Sequence, residues 1–207
     1  MSNIEQTPDA LIADMGTRAR AAARIMARTP TAAKAAALRR AATAIRAQGP
    51  AILAANAIDL AAGKDNGLTG AMLDRLALDE KRLEAIAAGV EAVAGLPDPT
   101  GAIIDRTERP NGLVLERIRV PLGVVGIIYE SRPNVTADAG ALCLMSGNAV
   151  ILRGGSEAIN SSRAIHAAMV AGIVASGLPA DAIQLVPITD RACVGAMLTA
   201  SGLIDII

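Results

Sequence analysis

Aromatic residues are almost missing from this chain of 207 residues, which has one tyrosine and neither phenylalanine nor tryptophan. The core must therefore be aliphatic, and stacking on bases or sugars is nearly excluded as a way of holding a ligand. There is one histidine, His166, and it builds no imidazole metal site alone. The two cysteines, Cys143 and Cys193, lie 50 residues apart and form no metal-ligand cluster. Both fall in helical stretches without a nearby base, so they read as reduced core cysteines rather than nucleophiles. Net charge is missing as well. Lys plus Arg and Asp plus Glu number 20 each, so no bulk charge recruits nucleic acid or an anionic membrane. Arginine outnumbers lysine 17 to 3, but the arginines are scattered as on solvated helix faces. No apolar run reaches the roughly 18 residues of a membrane span. The N-terminal MSNIEQTPDA has neither a basic nor an apolar signal segment, so a cytoplasmic location is expected.

What is present divides into three parts. Residues 1–100 read as helical. Asp9 is expected to cap a helix through Arg28, with Leu11, Met15, Ala22 and Met26 on one face. Thr31 caps a second helix to Gln48, with Ala35, Leu38 and Ile45 inward. A third helix starts at Gly49-Pro50 and ends near Gly63, and a short one covers Gly70–Leu76. Asp79 caps a fifth, in which Leu83, Ile86, Val90 and Ala94 recur at helical spacing, and Pro97-Asp98-Pro99 ends it. Residues 101–120 read as a hairpin of strands Ala102–Arg106 and Leu113–Val120, with Asn111-Gly112 as the turn signal.

Residues 121–207 read as an open, doubly wound parallel α/β sheet. Val124–Tyr129 and Ala149–Leu152 are short, β-branched and bounded by Gly or Pro, as buried strands are. Thr136–Met145 is the crossover helix between them. A helix over Ser156–Ser176, a strand Ile183–Val186, a helix to Ala200 capped by Thr189 or Asp190, and a fourth strand Leu203–Ile207 follow. An interior strand at the chain's last residues is the expectation for a fragment or truncated product. A six-position glycine fingerprint for dinucleotides does not occur. In its place Arg153-Gly154-Gly155-Ser156 joins a strand to a helix. Helix-start amides, permissive glycines and a guanidinium suit a phosphate, while an ordinary strand-to-helix turn is the other reading.

The segments VPLGVVGIIYESRPNVT (120–136) and SGNAVILRGGSEA (146–158) closely resemble the γ-glutamyl phosphate reductase family, the glutamate-5-semialdehyde dehydrogenases of the aldehyde dehydrogenase superfamily. The resemblance extends over essentially the whole chain, including Pro187–Arg191. It implies a Rossmann-like fold of the aldehyde dehydrogenase type, and reduction of L-glutamyl 5-phosphate to L-glutamate 5-semialdehyde by NADPH in proline biosynthesis. A cysteine thiolate displaces phosphate and the thioester then accepts hydride. The chain is about half as long as such enzymes, and the family's catalytic cysteine lies in the other half, so the catalytic domain is absent and the chain alone is expected to be inactive. By the same resemblance, Arg153 holds the adenosine ribose and its 2′-phosphate, with Gly154, Gly155 and Ser156 lining the pocket and Glu157 free to cap the helix. Tyr129, Glu130, Pro187 and Thr189 lie on the cofactor side. Asn134 is the candidate oxyanion donor, although counting back from Asn148 puts Glu130 in that place. Arg132 meets the substrate's phosphate or α-carboxylate, or else pairs with Glu130. Met145 stands where the family commonly has lysine, which would weaken anion binding. Residues 101–120 correspond to an oligomerisation element, so a homo-oligomer is expected, with a small-molecule substrate and neither nucleic acid nor membrane as partner. The rival reading is a non-catalytic dinucleotide-binding or interaction module.

Overall fold

The computed structural model describes residues 7–207. The reading of residues 1–6 as part of a leaderless N-terminus lies outside the described residues. Helix α1 (Pro8–Met26) starts from Thr7, whose hydroxyl accepts the Ala10 amide at 3.3 Å, with Pro8 just inside. Thr7, not Asp9, is therefore the cap: a Thr-Pro pair gives both the acceptor and the preset φ, and Asp9 merely adds charge to the first turn. Helix α2 (Thr31–Ala47) begins at Pro30 without a side-chain cap. Thr31 is not the cap because its hydroxyl donates instead to the Asp98 carboxylate at 2.7 Å. Helices α3 (Gly49–Asp65), α4 (Gly70–Leu76) and α5 (Glu80–Ala94) follow, the last capped by Asp79 through the Arg82 amide at 2.6 Å.

Strands β1 (Ile103–Glu108) and β2 (Val114–Ile118) form an antiparallel hairpin of their own. Asp105 pairs with Arg117, and Arg106 with Glu116, across it. Gly112 at φ 80° and the Asn111 carboxamide, which accepts the Leu113 amide at 3.1 Å, close the turn. Every residue of both strands is exposed.

The second sheet is parallel, in the order β3 (Val124–Ile128), β4 (Ala149–Arg153), β5 (Ile183–Leu185), with α6 (Asn134–Met145) and α7 (Ile159–Val174) as crossovers. Helices α6 and α7 pack on each other and on the sheet, with α2, α3 and α5 outside them. Helix α8 (Ala192–Thr199) packs with α1, which runs against all three strands. Both faces are thus covered, and the strands are near-continuously apolar because of it. Helix α7 begins at Ile159 rather than Ser156, since Ser156–Ala158 forms a separate 3₁₀ turn. Of the expected strand Leu203–Ile207, Asp205 and Ile206 pair with β3, in the parallel sense. After a turn at 201–203, Ile206 makes a single bridge to Val125, and Ile206 and Ile207 are each 48% exposed. The side chain of Asp205 accepts the Val124 amide at 2.7 Å and two Arg20 nitrogens, which anchors this segment at the sheet's edge. Because this bridge lies on the far side of β3 from β4, the chain reverses direction across the sheet at β3, and β3's carboxyl end is the switch point where such folds place ligands. No helix among the described residues is long and apolar enough to cross a membrane.

Lys34 is 1% exposed and pairs with Asp98, tying the start of α2 to the connection that leads into the hairpin. Burial works against the Asp98 charge, but the Lys34 ammonium, the Thr100 amide and the Thr31 hydroxyl outweigh it and hold the carboxyl down to about 2. Its folded value lies below the unfolded 3.8, so this contribution is complete above that value and is lost as pH falls toward about 2. Lys34→Met leaves the carboxylate buried without its cation and should cost about 3 kcal/mol in urea unfolding. Asp98→Asn should reduce the difference in urea midpoint between about pH 5 and about pH 2.5.

Candidate functional site

The carboxyl ends of β3, β4 and β5 come together with the loops that follow them. The Tyr129 amide donates to the Arg153 carbonyl at 3.0 Å, and the Val186 amide to the Leu152 carbonyl at 2.8 Å, so each strand is held in line to its last residue. Tyr129 places its hydroxyl 2.7 Å from the Thr136 hydroxyl, one turn into α6. Its ring lies over Gly154, where an added β-carbon would sit 3.1 Å from the phenol oxygen.

Glu130 is exposed, and Ser131 takes a left-handed conformation at φ 43°. This backbone is unusual for a residue other than glycine. It is held by Glu157: the Ser131 amide donates to Oε1 at 2.8 Å, and the Ser131 hydroxyl donates to the same atom. Burial opposes the Glu157 charge, yet these bonds hold its carboxyl below the ordinary range. A β-carbon at 155 would fall 2.5 Å from the Glu157 carboxylate, so Glu157 holds this position only beside glycine. Glu157 is thus neither the cap of α7 nor a free surface acid. It joins the loop after β3 to the turn after β4.

Arg153 is 8% exposed. Its Nη1 donates to the Gly154 carbonyl at 2.9 Å and its Nη2 to the Thr189 carbonyl at 2.8 Å. Its Nε is buried without a partner, and no carboxylate among the described residues pairs with it. Ser156, Pro187 and Thr189 are exposed along the same edge. Neither Thr189 nor Asp190 is the cap of α8, which is Arg191 without a side-chain bond, but the Asp190 carboxylate just ahead of it accepts the Ala192 amide at 2.8 Å.

The amides at the start of α7 do not face this edge empty-handed. Asp59 on α3 accepts the Asn160 and Ser161 amides at 3.2 and 2.8 Å, together with the Asn160 carboxamide and the Ser161 hydroxyl. An internal carboxylate thus already meets the first amides of α7 at Asn160 and Ser161, one 3₁₀ turn beyond the Arg153–Ser156 segment. The guanidinium and the two glycines remain.

Arg132 and Asn134 stand apart from this edge. Both line a cleft of about 380 Å³ between α4, α5 and the first turn of α6. The expected Glu130–Arg132 ion pair does not form among the described residues, as both side chains are exposed and unpaired. Asn134 donates one carboxamide hydrogen to Asp138 at 2.8 Å. Met145, at the other end of α6, is 3% exposed in the core. Both cysteines are buried: burial pushes the Cys143 thiol up to about 11, and burial with Asp190 nearby raises that of Cys193. His166 donates from Nε2 to the Ile183 carbonyl at 2.9 Å, and burial lowers its basicity, so it serves as a neutral structural group. Sequence reasoning missed Ser131, Asp59, Asp74, Arg75, Arg82 and Asp138. A polar residue between a strand and an X-Pro step was the available signal for Ser131, and Asp59 had none, being about 100 residues from its partners.

Residues 1–207 match the aldehyde dehydrogenase family model. The γ-glutamyl phosphate reductases of Rhizorhabdus wittichii and Sphingopyxis alaskensis are each 73% identical over 198 residues, covering 96% of this chain and 46% of the relative. The chain therefore spans about half the length of the curated relatives it matches. The solved γ-glutamyl phosphate reductase of Thermotoga maritima superposes with TM-score 0.90 at 36% identity, over 93% of this chain and 47% of that one. An acetylating aldehyde dehydrogenase from Geobacillus thermoglucosidasius shares the fold, with TM-score 0.74 at 16% identity over 100% of this chain and 43% of that one.

Replacing Glu157 by glutamine keeps an acceptor for Ser131 but removes its charge. Hydrogen exchange at the Ser131 amide should accelerate about tenfold, the size of one weakened charge-assisted bond of roughly 1–2 kcal/mol. An unchanged rate would mean that the loop is held by something else.

Proposed function

The chain belongs to the aldehyde dehydrogenase family, and on that premise we propose that it forms the cofactor-binding half of a cytoplasmic γ-glutamyl phosphate reductase. The whole enzyme reduces L-glutamyl 5-phosphate to L-glutamate 5-semialdehyde in proline biosynthesis. The similarity to reductases of that name supports the substrate. What carries the cofactor reading is Arg153, a buried guanidinium with an unpaired Nε and no carboxylate partner among the described residues. A buried charge without a counter-ion is costly, and a ligand anion beside it offsets that cost. The 2′-phosphate of NADPH is such an anion, and a guanidinium suits it better than an ammonium does. Gly154 and Gly155 keep side chains off the same turn, and the exposed Ser156, Pro187 and Thr189 complete the edge.

The bound cofactor supplies the hydride. The chain's own residues bind and orient. Tyr129 and Glu130 border the nucleotide side of the switch-point loop. Asn134 spends one amide hydrogen on Asp138 and keeps a second, which can donate to an oxyanion. Neither cysteine suits the nucleophile's role, because both are buried and both thiols are raised.

The hairpin is proposed as the contact between copies of the chain. Ile103, Leu113, Leu115 and Ile118 are each more than 40% exposed on it, an apolar surface that association would cover. Leu115→Glu with Ile118→Lys should shift sedimentation of the chain toward the monomer, and an unaltered profile would exclude this surface.

Arg153→Gln should weaken NADPH binding about tenfold or more while NADH binding changes little, and Arg153→Lys should recover part of the loss. Equal affinities for both nucleotides in all three proteins would remove Arg153 from the pocket. With L-glutamyl 5-phosphate present, the 207-residue chain is expected to oxidise no NADPH, and substrate-dependent turnover would refute that.

A further inference from the structure

The cleft between α4, α5 and α6 carries more charge than its packing uses. Arg82 and Asp74 are committed: Nη2 meets the carboxylate at 2.7 Å, and Nη1 donates to the Ala77 carbonyl at 2.9 Å, which staples α4 to α5. Three other charges in the cleft are not. Among the described residues, the side chains of Arg75 and Arg132 make no hydrogen bond or ion pair, and Asp138 has no cation within 4.0 Å. Asp138 Oδ2 accepts from Asn134, while Oδ1 accepts nothing and faces α5 above Gly89, where even a β-carbon would stay 3.7 Å away. The open charges are of both signs and share one concave surface.

That combination selects by chemistry. A dicarboxylate satisfies the guanidinium groups but is repelled by Asp138. A simple amine satisfies Asp138 and is repelled by the arginines. An α-amino acid head presents an ammonium and a carboxylate on adjacent atoms and meets both. We propose that this cleft reads the amino-acid end of the substrate, with Asp138 taking the α-ammonium and Arg132 the α-carboxylate, and Arg75 adding positive charge at the mouth. This rests on the reading of the chain as part of a glutamyl phosphate reductase, and it adds the residues that distinguish a glutamyl group from a plain acyl group.

The test uses L-norvaline, which has the same head on an unreactive tail, against pentanoate and pentylamine, titrated calorimetrically into the 207-residue chain. L-Norvaline should bind at least about tenfold tighter than either probe. Asp138→Asn and Arg132→Gln should each cost about tenfold in norvaline affinity, while NADPH affinity changes less than about twofold. Both positions are partly or fully exposed, and a cooperative thermal transition in each variant checks the fold. Equal binding of the three probes, norvaline affinity unmoved in both variants, or no norvaline binding overturns the assignment. NADPH titrated into the same samples separates the two readings. Selective norvaline binding without NADPH binding would sink the cofactor reading and leave this one standing, and NADPH binding without norvaline would do the reverse.

Discussion

Helices α2 and α7 meet backbone to backbone at Gly172. A β-carbon there would lie 2.3 Å from the Ala41 Cα, a distance no side chain tolerates. With one tyrosine and no larger ring, the core cannot be filled by wedging aromatics between elements. It is filled by bringing helices together over alanine, as at Ala37, Ala41 and Ala42 on α2 and Ala168 on α7, all fully buried. That contact fixes α7 against the outer helix layer. α3 then lies beside the start of α7, where Asp59 takes the first amides. The turn from Gly154 to Ala158 is therefore positioned from both sides, by β4 before it and by α3 through α7 after it.

Much of this was legible because it is local. The runs Val124–Tyr129 and Ala149–Leu152 are short and apolar on both faces, as strands of a sheet buried on both sides are. Gly70–Leu76 and the Asp79 cap follow from single residues with strong positional meaning. Errors arose where two local signals competed or where the partner was distant. Asp9 and Thr7 both suit a helix start, and the proline after Thr7 decides between them. Leu203–Ile207 has a strand's composition, but its pairing with β3 is confined to Asp205 and Ile206, beside the Asp205–Arg20 ion pair. The glycines and arginine after β4 are legible as a strand-to-helix turn with bare backbone and one cation, while the group that meets the first amides of α7, Asp59, comes from a helix about 100 residues earlier. No periodicity encodes such a meeting.

The two sequence signatures around β3 and β4 are one physical unit. Ser131 in a left-handed conformation costs on the order of 1–3 kcal/mol, and it persists because Glu157 over-determines it through two bonds to one carboxylate oxygen. Glu157 can reach that position only because Gly155 has no side chain. A β-carbon at Gly154 would likewise press on the Tyr129 ring at 3.1–3.3 Å, and the Tyr129 hydroxyl reaches Thr136 on α6. Each glycine in the turn after β4 thus serves a residue in or beside the loop after β3. A substitution in either segment is felt in the other.

This coupling bears on how two ligands would share the molecule. One end of the Tyr129–Asn134 loop lies against the Arg153 turn, and the other end opens into the cleft of Arg132 and Asp138. The segment between them is short, starts from a strained residue and ends in Pro133, which limits the conformations open to it. An anion drawing Arg153 away from the Gly154 and Thr189 carbonyls would act on the backbone that supports Tyr129 and Glu157. A zwitterion held by Asp138 would act on Asn134 through their shared hydrogen bond. On the proposed function, cofactor and substrate therefore meet through a six-residue strap held by two side chains, Glu157 at Ser131 and Asp138 at Asn134, so that whichever ligand arrives first restricts the geometry offered to the second.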